Sequence, residues 1–370
     1  MKISRRGFIA GVTASALDAQ NSNTLAYIGT YTGAKSKGIY AATYAGGALS
    51  GIELAAETPS PSFLALHPNR RFLYAVNEIN NYRGGSAGSA SAFSIEAGGK
   101  LKLLNTVSSG GPGPCHLAVD PSGRCVCVAN YAGGSVAVLP VDRGGALREA
   151  SDFRQHSGSS VNKARQSAAH AHEAAISPDG GFLYVPDLGL DQILIYTLDA
   201  DRGKLTDRRA VKTPPGSGPR HIAFHPGGHF AYALCEMGGL VVAFHYEEAT
   251  GGLDPFQTIS TLPKDFQGAN GSAEIQIHPN GHFLYASNRG PNTIAAFRFD
   301  ADGALRAIGQ TPTQGKTPRD FVIDASGKFL LAANQDSDNI VSFAIGADGM
   351  LVPANRVASC ASPVCIVFRG

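Results

Sequence analysis

One short pattern recurs six times along the chain: a turn anchored on a proline, or on an alanine in the last copy, usually leading into an aromatic or apolar strand. The copies are His67-Pro68-Asn69-Arg70-Arg71-Phe72-Leu73-Tyr74, Asp120-Pro121-Ser122-Gly123-Arg124, Ser177-Pro178-Asp179-Gly180-Gly181-Phe182-Leu183-Tyr184, His225-Pro226-Gly227-Gly228-His229-Phe230-Ala231-Tyr232, His278-Pro279-Asn280-Gly281-His282-Phe283-Leu284-Tyr285 and Asp324-Ala325-Ser326-Gly327-Lys328-Phe329. From anchor to anchor the intervals are 53, 57, 48, 53 and 46 residues. In a strand-rich chain a period of about fifty residues is the spacing of propeller blades.

Each unit holds an apolar strand before the turn, such as His221-Ile222-Ala223-Phe224, and a second after it, such as Phe230-Ala231-Tyr232-Ala233-Leu234. A third follows, as in Val241-Val242-Ala243-Phe244, and then a weaker outer segment beyond an Asp/Gly turn. The pattern predicts four antiparallel strands per blade. At the C-terminus Ser362-Pro363-Val364-Cys365-Ile366-Val367 matches the first strand of a unit, but the chain stops there. The missing strands begin at the other end, where Leu25-Ala26-Tyr27-Ile28-Gly29-Thr30-Tyr31 matches the second strand Leu73 to Glu78. Sharing one blade between the termini closes the ring and removes the free sheet edge. The expectation is an all-β, seven-bladed β-propeller over residues 25–370, as one domain.

Composition agrees with that reading and narrows the partners. Gly 45 and Pro 21 suit many tight turns, while 16% charged residues with a net charge of +2 supply no polybasic field. Nucleic acid and membrane surfaces are therefore not expected partners. Residues 1–24 read as an export signal and linker, since Ser4-Arg5-Arg6-Gly7-Phe8-Ile9-Ala10-Gly11 looks like a twin-arginine signal followed by the small residues Ala14-Ser15-Ala16. That predicts a periplasmic protein; an ordinary N-terminus that happens to hold two arginines, and a cytoplasmic protein, is the alternative. Of the six cysteines, Cys125 and Cys127 alternate with valines and Cys235 lies in another strand, which marks them as buried small hydrophobes. Cys360 and Cys365 are close enough in sequence to be a candidate pair in an oxidising compartment.

The first two strands of a blade are antiparallel, so the start of one and the end of the next lie at the same mouth of the central channel. Six residues before the anchor stand Ser62, Cys115, His172, Arg220, Ala273 and Arg319; ten after it stand Glu78, Tyr131, Leu188, Glu236, Arg289 and Gln335. Three arginines, a histidine and two carboxylates gather there. A ring of salt bridges stitching the blades is one explanation. Against it, the residues differ from blade to blade, whereas a structural device in a repeat is expected to repeat. Asymmetry points to a ligand, and arginine forks suit carboxylate or phosphate. Beside them Glu236 can serve as a general base and His172 as a proton donor or acceptor. The longest interval carries a polar stretch, residues 154–171, that includes Arg165-Gln166 and runs into His172. It reads equally as a loop over the mouth or as plain surface.

Two other motifs are set aside. Gly84-Gly85-Ser86-Ala87-Gly88 fits G-x-S-x-G without the strand-turn-helix context of a nucleophile elbow. His170-Ala171-His172 could chelate a metal, but no third ligand stands out by spacing. No metal or cofactor is expected.

The stretches His172-Glu173-Ala174-Ala175-Ile176-Ser177-Pro178-Asp179, Gly218-Pro219-Arg220-His221 through Cys235-Glu236, Ala286-Ser287-Asn288-Arg289, and Thr317-Pro318-Arg319-Asp320 through Asn334-Gln335 resemble the seven-bladed propeller lactonases. That family includes propeller-type bacterial 6-phosphogluconolactonase and the fungal carboxy-muconate lactonizing enzyme. The resemblance implies hydrolysis of a small sugar-derived lactone, anionic or polyhydroxylated, with His172, Glu236, Arg220 and Arg289 as the catalytic set. Arg319, Gln335, Arg165 and Glu78 are the further candidates for substrate contact. A lactone-forming cycloisomerase, and a propeller that only binds, are the alternatives. Export would make an unphosphorylated lactone as plausible a substrate as a 6-phospho ester.

Overall fold

The computed structural model describes residues 23–370; the stretch that reads as an export signal falls on residues 1–22, outside the described part. The described chain forms seven four-stranded antiparallel sheets arranged as blades. Numbered along the chain, blades 1 to 6 begin with the inner strands Leu64–Leu66, Pro114–Val119, Ala175–Ile176, Pro219–Phe224, Ser272–Ile277 and Pro318–Ile323. Each continues outward through three further strands in sequence order. Second strands such as Phe72–Asn77, Cys125–Asn130 and Phe283–Asn288 are buried at every residue. They pack against neighbouring blades on both faces, which is why their sequences run apolar without alternation. Outer strands such as Lys204–Lys212 are mostly exposed and polar.

Blade 7 joins the two ends of the chain, as the incomplete terminal units predict. Its inner strand is Pro363–Phe368, which pairs antiparallel with Thr24–Thr30; Gly38–Ala45 and Ala48–Glu57 complete it. The register sets Ala26 opposite Phe368 and Ile28 opposite Ile366. Gly29 is required here: a Cβ on it would stand 2.4 Å from the carbonyl oxygen of Pro61 on blade 1.

Adjacent blades are tied by two devices that repeat with the motif. The hydroxyls of Tyr74, Tyr184, Tyr232 and Tyr285 donate to the carbonyls of Gly145, Gly251, Gly303 and Gly349 in the following blade, at 3.0, 2.8, 2.7 and 2.8 Å. These glycines have positive φ, and the ring of Phe72, Phe182, Phe230 or Phe283 lies where a Cβ would go. At the anchor turns, Nδ1 of His67, His225 and His278 accepts the N–H two residues on, while Nε2 donates to Gly123, Gly281 or Gly327 of the next blade. The repeated histidines are therefore turn and blade-joining residues. All six cysteines are buried free thiols, Cys360 and Cys365 included.

The inner strands of blades 2, 4, 5 and 6 share one irregularity at the channel. Register slips between Pro114 and His116, Pro219 and His221, Ser272 and Ile275, and Pro318 and Asp320. A bulge at the mouth end of a strand re-aims side chains that strict alternation would send to opposite faces. Two consecutive residues on these strands thereby become available to line the channel.

Candidate active site

Glu236 follows directly after strand Phe230–Cys235, and the arginines that surround it arrive from three separate places. Arg220 comes from the bulged inner strand of the same blade, and its Nε lies 3.2 Å from Oε2. Arg289, just past Phe283–Asn288 in blade 5, sets Nη2 2.9 Å from the same oxygen. Arg165 reaches in from the loop before blade 3 and donates to Oε1 at 2.8 Å. His172 Nε2 stands 3.9 Å from Oε2. The offsets from the anchor turns thus bring His172, Arg220, Glu236 and Arg289 together, and the polar loop delivers Arg165.

The electrostatics follow from burial and charge. Burial works to raise the carboxyl of Glu236, but Arg289 and Arg220, then Arg165, outweigh it and hold the group at about 2. It is a carboxylate throughout the physiological range. His172 is pushed well below the ordinary histidine value, by burial first and then by Arg220, so its imidazole is neutral. Burial lowers Arg289 to about 10, with Glu236 opposing the shift. The buried Nε of Arg220 has no hydrogen-bond partner, because its approach to Glu236 is out of line. A donor of that kind, with one carboxylate shared among three guanidiniums, leaves positive charge free for an incoming oxygen.

A second group stands on other blades of the same ring. Tyr31, beyond the second strand of blade 7, donates to Glu78 Oε2 at 2.8 Å, and the guanidinium of Arg319 lies 5.2 Å from the centre of the Tyr31 ring. Burial opposes the charge on Arg319, but Tyr31, Glu78 and Glu236 favour it and raise its pKa. Gln335 does not join either group; its amide donates to Asp336 beside it.

The loop is not free to swing. His156 Nδ1 is 2.7 Å from Asp187, Ser160 donates to Asp191 at 2.6 Å, and Gln166 donates to the carbonyl of Leu188 at 2.9 Å. Asp191 also accepts the backbone N–H groups of Gly216 and Gly218, at the approach to Arg220. One carboxylate therefore fixes both the loop that carries Arg165 and the turn that carries Arg220.

Sequence reasoning missed four kinds of residue here. Tyr131 stands in the ring but carried no role; its hydroxyl accepts from Arg165 at 3.2 Å and its ring meets His172 edge-on at 5.3 Å. Tyr31 went unnoticed because it lies in a terminal half-blade. Cys115 donates from Sγ to the carbonyl of His172 at 3.1 Å, fixing the backbone behind the imidazole. Beneath this layer His116, Glu173, His221, Glu274 and Asp320 line the channel, all buried. None of the five was a sequence candidate: each directly follows a position read as facing the mouth, and strict alternation would send it to the opposite face. Polar residues at one fixed offset in five of six inner strands were the available signal.

Residues 25–368 match the family described as Lactonase, 7-bladed beta-propeller. A 6-phosphogluconolactonase of Bacillus subtilis is 34% identical over 304 residues, 81% of this chain and 85% of that protein. Another protein of that name, from Formosa agariphila, is 38% identical over 272 residues, 72% of this chain and 75% of its own. Among solved structures, the periplasmic gluconolactonase of Pseudomonas aeruginosa superposes with a TM-score of 0.88 at 34% identity, covering 94% of this chain and 99% of that one.

Proposed function

The chain belongs to the seven-bladed β-propeller lactonase family, and on that premise we propose that it hydrolyses a sugar-derived lactone at the channel mouth around Glu236. The observation that carries this reading is the convergence of Arg165, Arg220 and Arg289 on one buried carboxylate beside a neutral histidine. Hydrolysis adds water to the ring carbonyl, breaks the ring C–O bond and returns a proton to the oxygen that leaves. Neutral His172 takes the proton from water and hands it to the ring oxygen. Arg289, the more exposed of the two guanidiniums beside Glu236, faces the oxygen on which charge develops, with the buried Arg220 adding positive charge behind it.

From sequence, Glu236 is the general base and His172 the group that donates or accepts a proton. With its pKa drawn to about 2, Glu236 is too weak a base for that part. In this reading it anchors the guanidiniums and stabilises the imidazolium that forms 3.9 Å away. Arg319, stacked on Tyr31, and the exposed tip of Arg165 receive the anionic or hydroxyl-rich end of the substrate. Gln335 would have to turn away from Asp336 to take part. The test is a pH-stat assay of purified protein with glucono-δ-lactone and its 6-phosphate. Turnover well above the spontaneous rate is expected for at least one of them. Spontaneous rates alone, from folded protein, would refute the reading.

The twin arginines Arg5 and Arg6 further motivate export to the periplasm. Fractionation of cells expressing the full chain should find it there, and Arg5→Lys with Arg6→Lys should leave it in the cytoplasm. Equal distribution of both forms would remove the export reading.

A further inference from the structure

The buried layer beneath the mouth contains a pair that the mechanism does not use. His221 Nδ1 lies 2.8 Å from Glu274 Oε2, and the two side chains are only 5% and 11% exposed. On its other side His221 meets Arg220. Nη1 of Arg220 lies 3.2 Å from Nε2 and 3.5 Å from Nδ1 of the ring. A hydrogen bond in the ring plane to one nitrogen would leave the other much farther off. Near-equal distances place the guanidinium nitrogen over the face of the imidazole, a cation against a π system. The same Nη1 donates to the carbonyl of Ala273, so the group is held from two directions.

We propose that His221 and Glu274 are positioning residues: Glu274 fixes the imidazole, and the imidazole is the plate that turns the Nε edge of Arg220 toward Glu236. The proposal rests on the reading of Arg220 and Glu236 as reaction groups. The plate requires a neutral ring, because an imidazolium would repel the guanidinium lying on it. Burial, then Arg220 and Arg319, keep His221 neutral. One proton lies between Nδ1 and Oε2 whether Glu274 is ionised or not, so the ring orientation persists in both states. His172 and His116 stand around the plate with ring centres 5.4 and 5.2 Å away, and Phe63 closes it at 6.2 Å. The ring has no other place to turn.

Two substitutions separate the plate from the hydrogen bond. His221→Asn keeps a side-chain partner for Glu274 but removes the plate; His221→Phe keeps a flat face over the same area but leaves Glu274 without its partner. The expected result is a crossing: kcat for lactone hydrolysis falls about tenfold or more in H221N and stays within about threefold in H221F, while the melting temperature falls further in H221F. Activity that simply follows melting temperature across the two variants would overturn the proposal. A second measurement needs no variant to fold and no substrate to be known. In the ¹⁵N-arginine-labelled full chain, the Arg220 guanidinium protons should be shifted upfield by the ring beneath them, and ordinary arginine shifts would also overturn it. If the wild-type chain hydrolyses no lactone, the functional reading fails while the spectrum still decides the positioning.

Discussion

At the scale of single residues, the site combines an ionised carboxylate with an imidazole that resists protonation, and this sets how the rate should depend on pH. His172 must be neutral to accept a proton, and its folded-state pKa lies below the ordinary 6.5. The rate should therefore hold as pH falls through 6.5 and decline only at lower pH, where the depressed group finally protonates. A kcat/KM profile with its acid limb at or above pH 6.5 would remove His172 from that role. Glu236→Gln should lower hydrolysis by up to roughly 10²–10⁴-fold, the contribution of the proton transfer through His172 that the carboxylate supports. In that variant the three guanidiniums lose their shared counter-charge. Steady-state rates on folded protein check this. The charged members of this set were legible in the sequence, because anchor turns fix which residues reach the mouth. The division of labour proposed between Glu236 and His172 was not. It depends on how many guanidiniums reach one carboxylate, and Arg165 arrives from a loop with no repeat offset.

At the scale of elements, the blades and turns were legible for a physical reason: a buried strand flanked by proline and glycine turns leaves the same trace each time it recurs. Bulges leave no such trace, and neither does the fastening of the long loop. Asp191 illustrates the second. It sits in a left-handed turn at φ 52° and accepts hydrogen bonds from Ser160, Gly216 and Gly218. Asp191→Ala should destabilise the protein by roughly 3 kcal/mol, the scale of losing hydrogen bonds to a charged acceptor. It should also weaken catalysis, because it loosens Arg165 and the approach to Arg220 together. Thermal melts and rates measured on one preparation check both. Tyr232→Phe, by contrast, removes only one blade-joining hydrogen bond. It should lower stability by about 1 kcal/mol with kcat unchanged.

At the scale of the whole molecule, the ring exists only because Pro363–Phe368 lies against Thr24–Thr30. Deleting residues 363–370 exposes the inner edge of the first strand and uncovers Ile28, Leu64 and their neighbours, which are fully buried in the closed ring. The truncated chain should lose its cooperative melt and elute as larger species on gel filtration, as an open sheet edge predicts. A monomer with an unchanged melt would mean that six blades hold the ring without closure. The seam also governs timing. A chain is made from its N-terminus, and the strand that finishes blade 7 is made after every other described strand. Six blades can form during synthesis, but the ring cannot close until Pro363–Phe368 has also been made. During that interval the half-blade carrying Tyr31 waits with an open edge, so the mouth matures only after the other six blades.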